Sequence, residues 1–370
     1  MNILHLMKDY RPNTGGSVVR NSNMIENYIT ISNDSLTVMN LDGDKYPKHS
    51  LENGVAVYRY KSLFSMIRSA IRIARIKKIE IIHAHNFRFL LVGYICQLFN
   101  RNTKLVVELH AIYKVGKIKE IISYYILSKA NLIIVLSESA KRYLIREKNI
   151  KQPEIIVIRN GAPSRNIEPK ESDFTAEIKK IRNKYCVVAY MGSFFSWQGV
   201  RFIADNIDNI LEKIPNIFIL MLGDGPEYEY VYNALSSSKY AERTVVHHSI
   251  TKNEIDTLFK VIDVVLIPRE KNMSTNTAVP LKVVEAMQND RCILASDDDG
   301  ISELLNESNA KLFRQFDIES FIAQLHVLSE NKVIREQLGN KAKEDAKNCL
   351  KTWEWNAYEV RKSYQHINIY

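Results

Sequence analysis

Cysteine is scarce in this sequence, and the four present, Cys96, Cys186, Cys292 and Cys349, stand far apart. Without paired spacing they exclude a disulfide framework and a zinc ribbon, and they fit a reducing cytoplasm. Long apolar runs are missing too. No stretch reaches the roughly 18 residues of a membrane span, and the apolar run in MNILHLMKDYRP is too short for a secretory leader. A cytoplasmic protein without an integral anchor is therefore expected. Internal repeats and low-complexity tracts are lacking, which leaves out solenoids and disordered chains. No G-x-G-x-x-G follows the first strand, so a dinucleotide site is not supported. The basic residues are dispersed and no familiar reader motif accompanies them, so nucleic acid is not an expected partner.

What is present describes a globular protein. At 370 residues, with 46% hydrophobic and 25% charged side chains, the chain is too long for one ordinary core and suits two domains. Lys plus Arg number 51 against 42 acids, a net charge of +9 that suits anionic lipid or a phosphorylated ligand as well as nucleic acid. Short β-rich runs, NILHLM, LTVMNL, VAVYRY, IEIIHAH, KLVVELH, LIIVLS and EIIVIRN, alternate with helical patterns in the first half. CVVAYMG, NIFILMLGDG, RTVVHHS, VIDVVLIPR and RCILASD repeat the plan in the second. Such alternation predicts two doubly wound, Rossmann-like α/β domains of parallel strands, with functional residues just after the strands. The polar, proline-broken stretch after residue 162 reads as the linker, which sets the domains at 1–165 and 166–350. The tail 351–370, rich in Trp and Tyr, is expected to pack on a domain surface or to fray as an amphipathic helix.

Several short stretches carry candidate chemistry. Gly15 and Gly16 follow the first strand and open a helix, where backbone amides can approach a phosphate or sugar hydroxyl. His83, His85 and His110 end two strands. His83 and His85, two apart, face the same way and with His110 fit a shared metal; alternatively His85 or His110 donates a hydrogen bond to substrate while His83 is packed structure. AYMGSFFSWQG and LGDGPE place glycines at strand ends. LDGDK and SDDDG read as solvated turns rather than metal sites. In TAVPLKVVEAM, Pro280 fits the first helical position. Lys282 is then on the unfavourable end of the helix dipole unless an anion such as a diphosphate sits there. Glu285, one turn on, is placed to accept hydrogen bonds from ribose hydroxyls; the plain alternative is an i,i+3 surface pair worth about 0.2–0.5 kcal/mol.

Taken in order, DYRPNTGGSVVRN, IIHAHN, ELHAI, VLSESAKRYL, IRNGAP, YMGSFFSWQGV, LGDGPE, VPLKVVEAM and ILASDDDGISELL resemble the retaining family-4 glycosyltransferases of GT-B fold over nearly the whole chain. The resemblance implies two Rossmann-like domains facing a central cleft, acceptor on the first and nucleotide sugar on the second, with a last helix crossing back to the first. It implies a donor site of Gly16, Gly192, Ser193, Gln198, Ile250, Thr277, Leu281, Lys282 and Glu285, and an acceptor site of Gly15, Gly16, Arg20 and His85. His110, Lys282 and Glu285 would carry catalysis, with no metal and no cofactor beyond the donor. The family's usual acid eight residues before the ribose glutamate is Thr277 here, and the usual lysine of its aromatic loop is Gln198. The expected activity is transfer of a sugar from a nucleotide-diphosphate sugar to a saccharide or lipid-linked acceptor, in surface polysaccharide assembly such as lipopolysaccharide or capsule. Rival readings are a sugar-nucleotide epimerase and a non-catalytic sugar-nucleotide-binding or scaffold subunit.

The segment 64–82 adds one more expectation. Ile67, Ala70, Ile71 and Ala74 recur at helical spacing beside Arg68, Arg72, Arg75, Lys77 and Lys78. A basic amphipathic helix of this kind rests on anionic lipid headgroups, at the inner face of the plasma membrane, or packs on its own sheet.

Overall fold

A computed structural model of the chain describes every residue except Asp9, Thr14, Val115, 163–171 and Tyr370. Contacts divide it into two units, Met1–Gly161 with Lys351–Tyr370, and Ala162–Leu350. The boundary expected between residues 165 and 166 lies outside the described residues.

In the first unit β1 (Asn2–Leu6), β2 (Ser35–Asn40), β3 (His49–Glu52), β4 (Val55–Arg59), β5 (Ile81–His85), β6 (Lys104–Leu109), β7 (Leu132–Val135) and β8 (Glu154–Val157) form one sheet in the order β3-β4-β2-β1-β5-β6-β7-β8. Neighbours pair in parallel except β3 with β4. The central strands read as unbroken apolar runs because both faces of a parallel sheet are covered. One face is closed by the helices Gly16–Ile31 and Trp353–Ile369, whose Ile25, Tyr28, Ala357, Val360 and Tyr364 join Ile3, Ile81 and Val106 in one core. The C-terminal tail is therefore a packed helix, not a frayed one. The crossover helices Leu63–Ile76, Asn86–Phe99 and Lys117–Leu127 form a second layer, each packed against the next.

The helix Leu63–Ile76 starts at Ser62, whose hydroxyl accepts from the Ser65 amide at 3.3 Å. It buries Met66, Ala70 and Ala74 against its own unit and leaves Arg68, Arg72 and Arg75 exposed. Much of its apolar stripe is thus spent on packing. No helix among the described residues is long and apolar enough to cross a membrane.

The second unit holds β9 (Cys186–Met191), β10 (Ile217–Leu222), β11 (Thr244–His247), β12 (Val264–Ile267), β13 (Cys292–Ser296) and β14 (Lys311–Phe313), all parallel, in the order β11-β10-β9-β12-β13-β14. Strand order reverses between β9 and β12, so the loops after these two strands flank a topological switch point, where such sheets open a crevice for ligands.

Two strands differ from the sequence reading. β3 makes an antiparallel hairpin with β4 through Asn53 and Gly54, both at positive φ (48° and 81°), the signature of a two-residue turn that matches strand twist. β14 is only three residues long. The acidic turns also need correcting. Asp42 is buried and accepts from Asn13 and Asn40 at 2.8 and 2.9 Å, and Asp298 is buried beside Arg269, whereas Asp44, Asp297 and Asp299 face solvent.

Candidate functional site

In the second unit the residues after β9 and β12 converge on Lys282. The helix carrying it runs Leu281–Gln288, has no side-chain cap and no acid in its first turn. Pro280 is the residue before the helix, extended at φ −72°, ψ 142°, rather than its first helical residue as expected. The Lys282 ammonium lies 4.1 Å from the centre of the Tyr190 ring and donates to Gln198 Oε1 at 3.1 Å. Neither the ring face nor the amide oxygen that holds the cation carries a charge of its own. Burial, then the nearby Arg269 guanidinium, pulls the Lys282 amine down to about 7, against the opposing influence of Glu285. Held so, the lysine gains its full charge when an anion arrives.

Gly192 makes this arrangement possible. Its φ is +146°, and a Cβ there would stand 2.9 Å from Lys282 Nζ. Gly192→Ala is expected to destabilise the protein by about 1–3 kcal/mol through backbone strain and to push the ammonium from its seat. Paired melting curves and nucleotide titrations check both effects. Ser193 follows, its carbonyl accepting from the Tyr190 hydroxyl at 2.7 Å, which fixes the ring under the lysine.

Sequence reasoning does not single out Arg269. It lies two residues after β12, is buried, and donates to the carbonyls of Ala278 and Thr275 at 3.1 and 3.4 Å, pinning the loop that leads into the Leu281 helix. Thr277 lies in that loop, buried, and donates to the Met273 carbonyl at 2.7 Å. Its proton is directed into its own chain, so any contact it makes to a sugar is as an acceptor. Ile250 is half-buried against the core behind β10 and β12. Next to it the Ser249 amide is already bound by Asp224 Oδ2 at 2.9 Å, and His248 stacks on Tyr228 at 4.1 Å between ring centres.

The first unit gathers a second polar cluster. His5 and His83 are register neighbours on β1 and β5, and His85 lies two residues along. Glu108 enters from β6 and Arg20 from the helix Gly16–Ile31, which starts after Gly15 at φ 121°. Arg20 and Glu108 are each 1% exposed, and Arg20 Nε donates to Glu108 Oε1 at 2.9 Å. The rest of its fork reaches the carbonyls of Ile158 and Arg159, both at 3.0 Å. The acceptor contact expected of Arg20 is thus replaced by a structural one: the guanidinium is consumed inside the unit. His85 is corrected likewise. It is buried with Nε2 3.2 Å from His5 and Nδ1 3.4 Å from His110.

His110 is the histidine of this group nearest solvent, its Nε2 2.8 Å from Glu108 Oε1. Burial raises a carboxyl, but Arg20 and the histidines outweigh it and hold Glu108 well below its usual range. A carboxylate only accepts, so the proton between the two belongs to His110. Burial keeps the His110 imidazole below its usual value although Glu108 opposes this. A neutral His110 with its Nε2–H spent on Glu108 presents Nδ1 as an acceptor, not the donor expected from sequence.

The metal reading of His83, His85 and His110 also changes. Ligating atoms come within reach of one another only in the sets His5, His83, His85 and His85, Glu108, His110 among the described residues. His83 and His85 stack at 4.3 Å with 18° between planes. A metal lies in the plane of each imidazole that binds it, and stacked rings send their lone pairs side by side rather than to one point. The small cavity they line, about 20 Å3, has room for a single water.

Comparison with known proteins agrees with both units. Residues 171–345 match the family model for glycosyl transferases group 1 and residues 38–164 that for glycosyltransferase family 4. The GPI3 subunit of phosphatidylinositol N-acetylglucosaminyltransferase from Saccharomyces cerevisiae is 20% identical over 324 residues, 82% of this chain and 70% of that protein. The fold matches crystal structures of HepE from Anabaena: in complex with UDP, TM-score 0.78, 16% identity, 99% of this chain and 100% of that one; and in complex with UDP-glucose, TM-score 0.75, 18% identity, 98% and 100%. Two consecutive glycosyltransferase family matches laid over two Rossmann-like units of GT-B fold support a family-4-like glycosyltransferase.

Proposed function

We propose that the protein is a retaining, metal-independent glycosyltransferase. It moves a sugar from a nucleotide-diphosphate sugar to a saccharide or lipid-linked acceptor, in the assembly of a surface polysaccharide such as lipopolysaccharide or capsule. The observation that carries this is the Lys282 ammonium, seated on Tyr190 and Gln198 at the uncapped start of the Leu281 helix. HepE from Anabaena, a protein of the same fold, is seen in complex with UDP and with UDP-glucose.

On this reading Lys282 and the amides at Leu281 take the diphosphate, while Glu285 takes the ribose hydroxyls. Gly192, Ser193, Gln198, Ile250 and Thr277 complete the donor site of the second unit, and Gly15 and Gly16 serve the acceptor and diphosphate. The bond from the anomeric carbon to the diphosphate oxygen breaks as the acceptor oxygen bonds to the same face of that carbon. The acceptor proton passes to the departing phosphate. Charge grows on the leaving group, so a cation and helix amides preset around it lower the barrier. No side chain forms a covalent intermediate. His110 offers the sugar an acceptor nitrogen. An anionic membrane surface meets segment 64–82 through its outward arginines.

The lysine makes donor binding depend on pH. A bound diphosphate favours the ammonium, so affinity is full below pH 7 and falls about tenfold per unit above it, until the raised bound-state value is reached. A nucleotide sugar has no titrating phosphate in this range. Calorimetric titration of UDP-glucose between pH 6 and 9 should show the decline; a flat profile would contradict the assignment.

Two residues favour a second reading, a non-catalytic sugar-nucleotide-binding subunit: Thr277, which turns its proton inward, and Gln198, which is neutral. Incubation with a panel of nucleotide sugars separates the readings. Release of nucleoside diphosphate means transfer or hydrolysis, an isomeric sugar nucleotide means an epimerase, and tight binding without turnover means a scaffold.

A further inference from the structure

The helix Lys117–Leu127 is built inside out. Amphipathic helices turn the apolar stripe at i, i+3, i+4 and i+7 toward the core, yet here that stripe faces solvent: Ile118 is 75% exposed, Ile121 70%, Ile122 50% and Tyr125 58%. Only Ile126 and Leu127 of this helix are buried. Single exposed apolar side chains are ordinary, but a contiguous run of them marks a surface that meets something.

We propose that the outward face of Lys117–Leu127 docks on an anionic lipid bilayer, with Ile118, Ile121, Ile122 and Tyr125 entering the headgroup boundary. Charge selects this occupant. Lys114, Lys117, Lys119 and Lys129 stand exposed around the stripe. The acid of the helix, Glu120, is taken by Lys148. A ring of lysines around isoleucines complements phosphate headgroups over an apolar layer. A second copy of the chain fits poorly, because a twofold contact lays the same patch on itself and so brings the lysine ring of one copy up to that of the other.

The same layer extends the surface. The Asn86–Phe99 helix packs beside Lys117–Leu127 and exposes Leu91, and the Leu63–Ile76 helix beyond it turns Arg68, Arg72 and Arg75 outward. Segment 64–82 then supplies charge, while the helix Lys117–Leu127 supplies the apolar insertion that its own buried stripe cannot.

Sedimentation with phosphatidylcholine vesicles, with and without about 30% phosphatidylglycerol, tests this. The wild type should bind the anionic vesicles. Ile121→Ser with Ile122→Ser should weaken binding about tenfold or more, and Lys117→Glu with Lys119→Glu by a similar factor. All these side chains are exposed, so thermal melting should be unchanged. Melting, rather than donor turnover, is the control for folding, so failure of the glycosyltransferase reading leaves this test intact. The proposal is overturned if the wild type ignores anionic vesicles or if both variants bind as it does. It is equally overturned if sedimentation velocity shows a wild-type dimer that the serine variant loses.

Discussion

Lys282→Ala is expected to lower kcat/KM for a nucleotide sugar by about 10²–10³-fold, the scale of losing one preset group that stabilises leaving-group charge. The fall should appear mostly in kcat, because diphosphate charge is greatest in the transition state. The stability of the unliganded protein should move the other way. Folding depresses the Lys282 amine to about 7, so between that pH and the ordinary lysine range the unfolded chain binds more protons, and stability rises with pH. The stabilising influence is complete above the ordinary lysine range and is lost as pH falls through about 7. Lys282→Met removes the cost of burying the charge and should melt higher at neutral pH. A variant that is inactive yet more stable separates chemistry from folding; equal kcat/KM would remove Lys282 from the mechanism.

Glu108→Leu is expected to destabilise the first unit by about 3–5 kcal/mol, because it leaves the Arg20 guanidinium buried without a countercharge. Arg20 and Glu108 are both shut from solvent, so water cannot take over. Urea unfolding should show the loss as a lower midpoint with little change in slope. The double variant Arg20→Met with Glu108→Leu should recover much of it, since an apolar pair of similar volume is often neutral. If the single variant unfolded like the wild type, the pair would contribute little to holding the helix Gly16–Ile31 on β6.

Much of the fold was legible in the sequence because buried parallel strands are written as apolar runs, as in IEIIHAH and LIIVLS. The antiparallel β3 was missed although its signal was present: Asn53–Gly54 before an alternating run is a hairpin marker. The Leu281 helix and its lysine were legible too, since proline and a misplaced cation are local features. Arg20 was not. Its partner Glu108 is 88 positions away, and an arginine beside a glycine loop reads as a ligand contact until burial is known. A glutamate within KLVVELH was the available clue, because an acid on an apolar strand needs a partner. The direction of Thr277 and the tautomer of His110 depend on hydrogen bonds that only folding creates.

A crystal structure with UDP-glucose bound tests the central claim most directly. The account predicts a diphosphate oxygen within hydrogen-bond distance of Lys282 Nζ and of the amides at the start of the Leu281 helix. Glu285 should then be on the ribose. A diphosphate bound elsewhere, with Lys282 still resting on Tyr190 and Gln198, would contradict it.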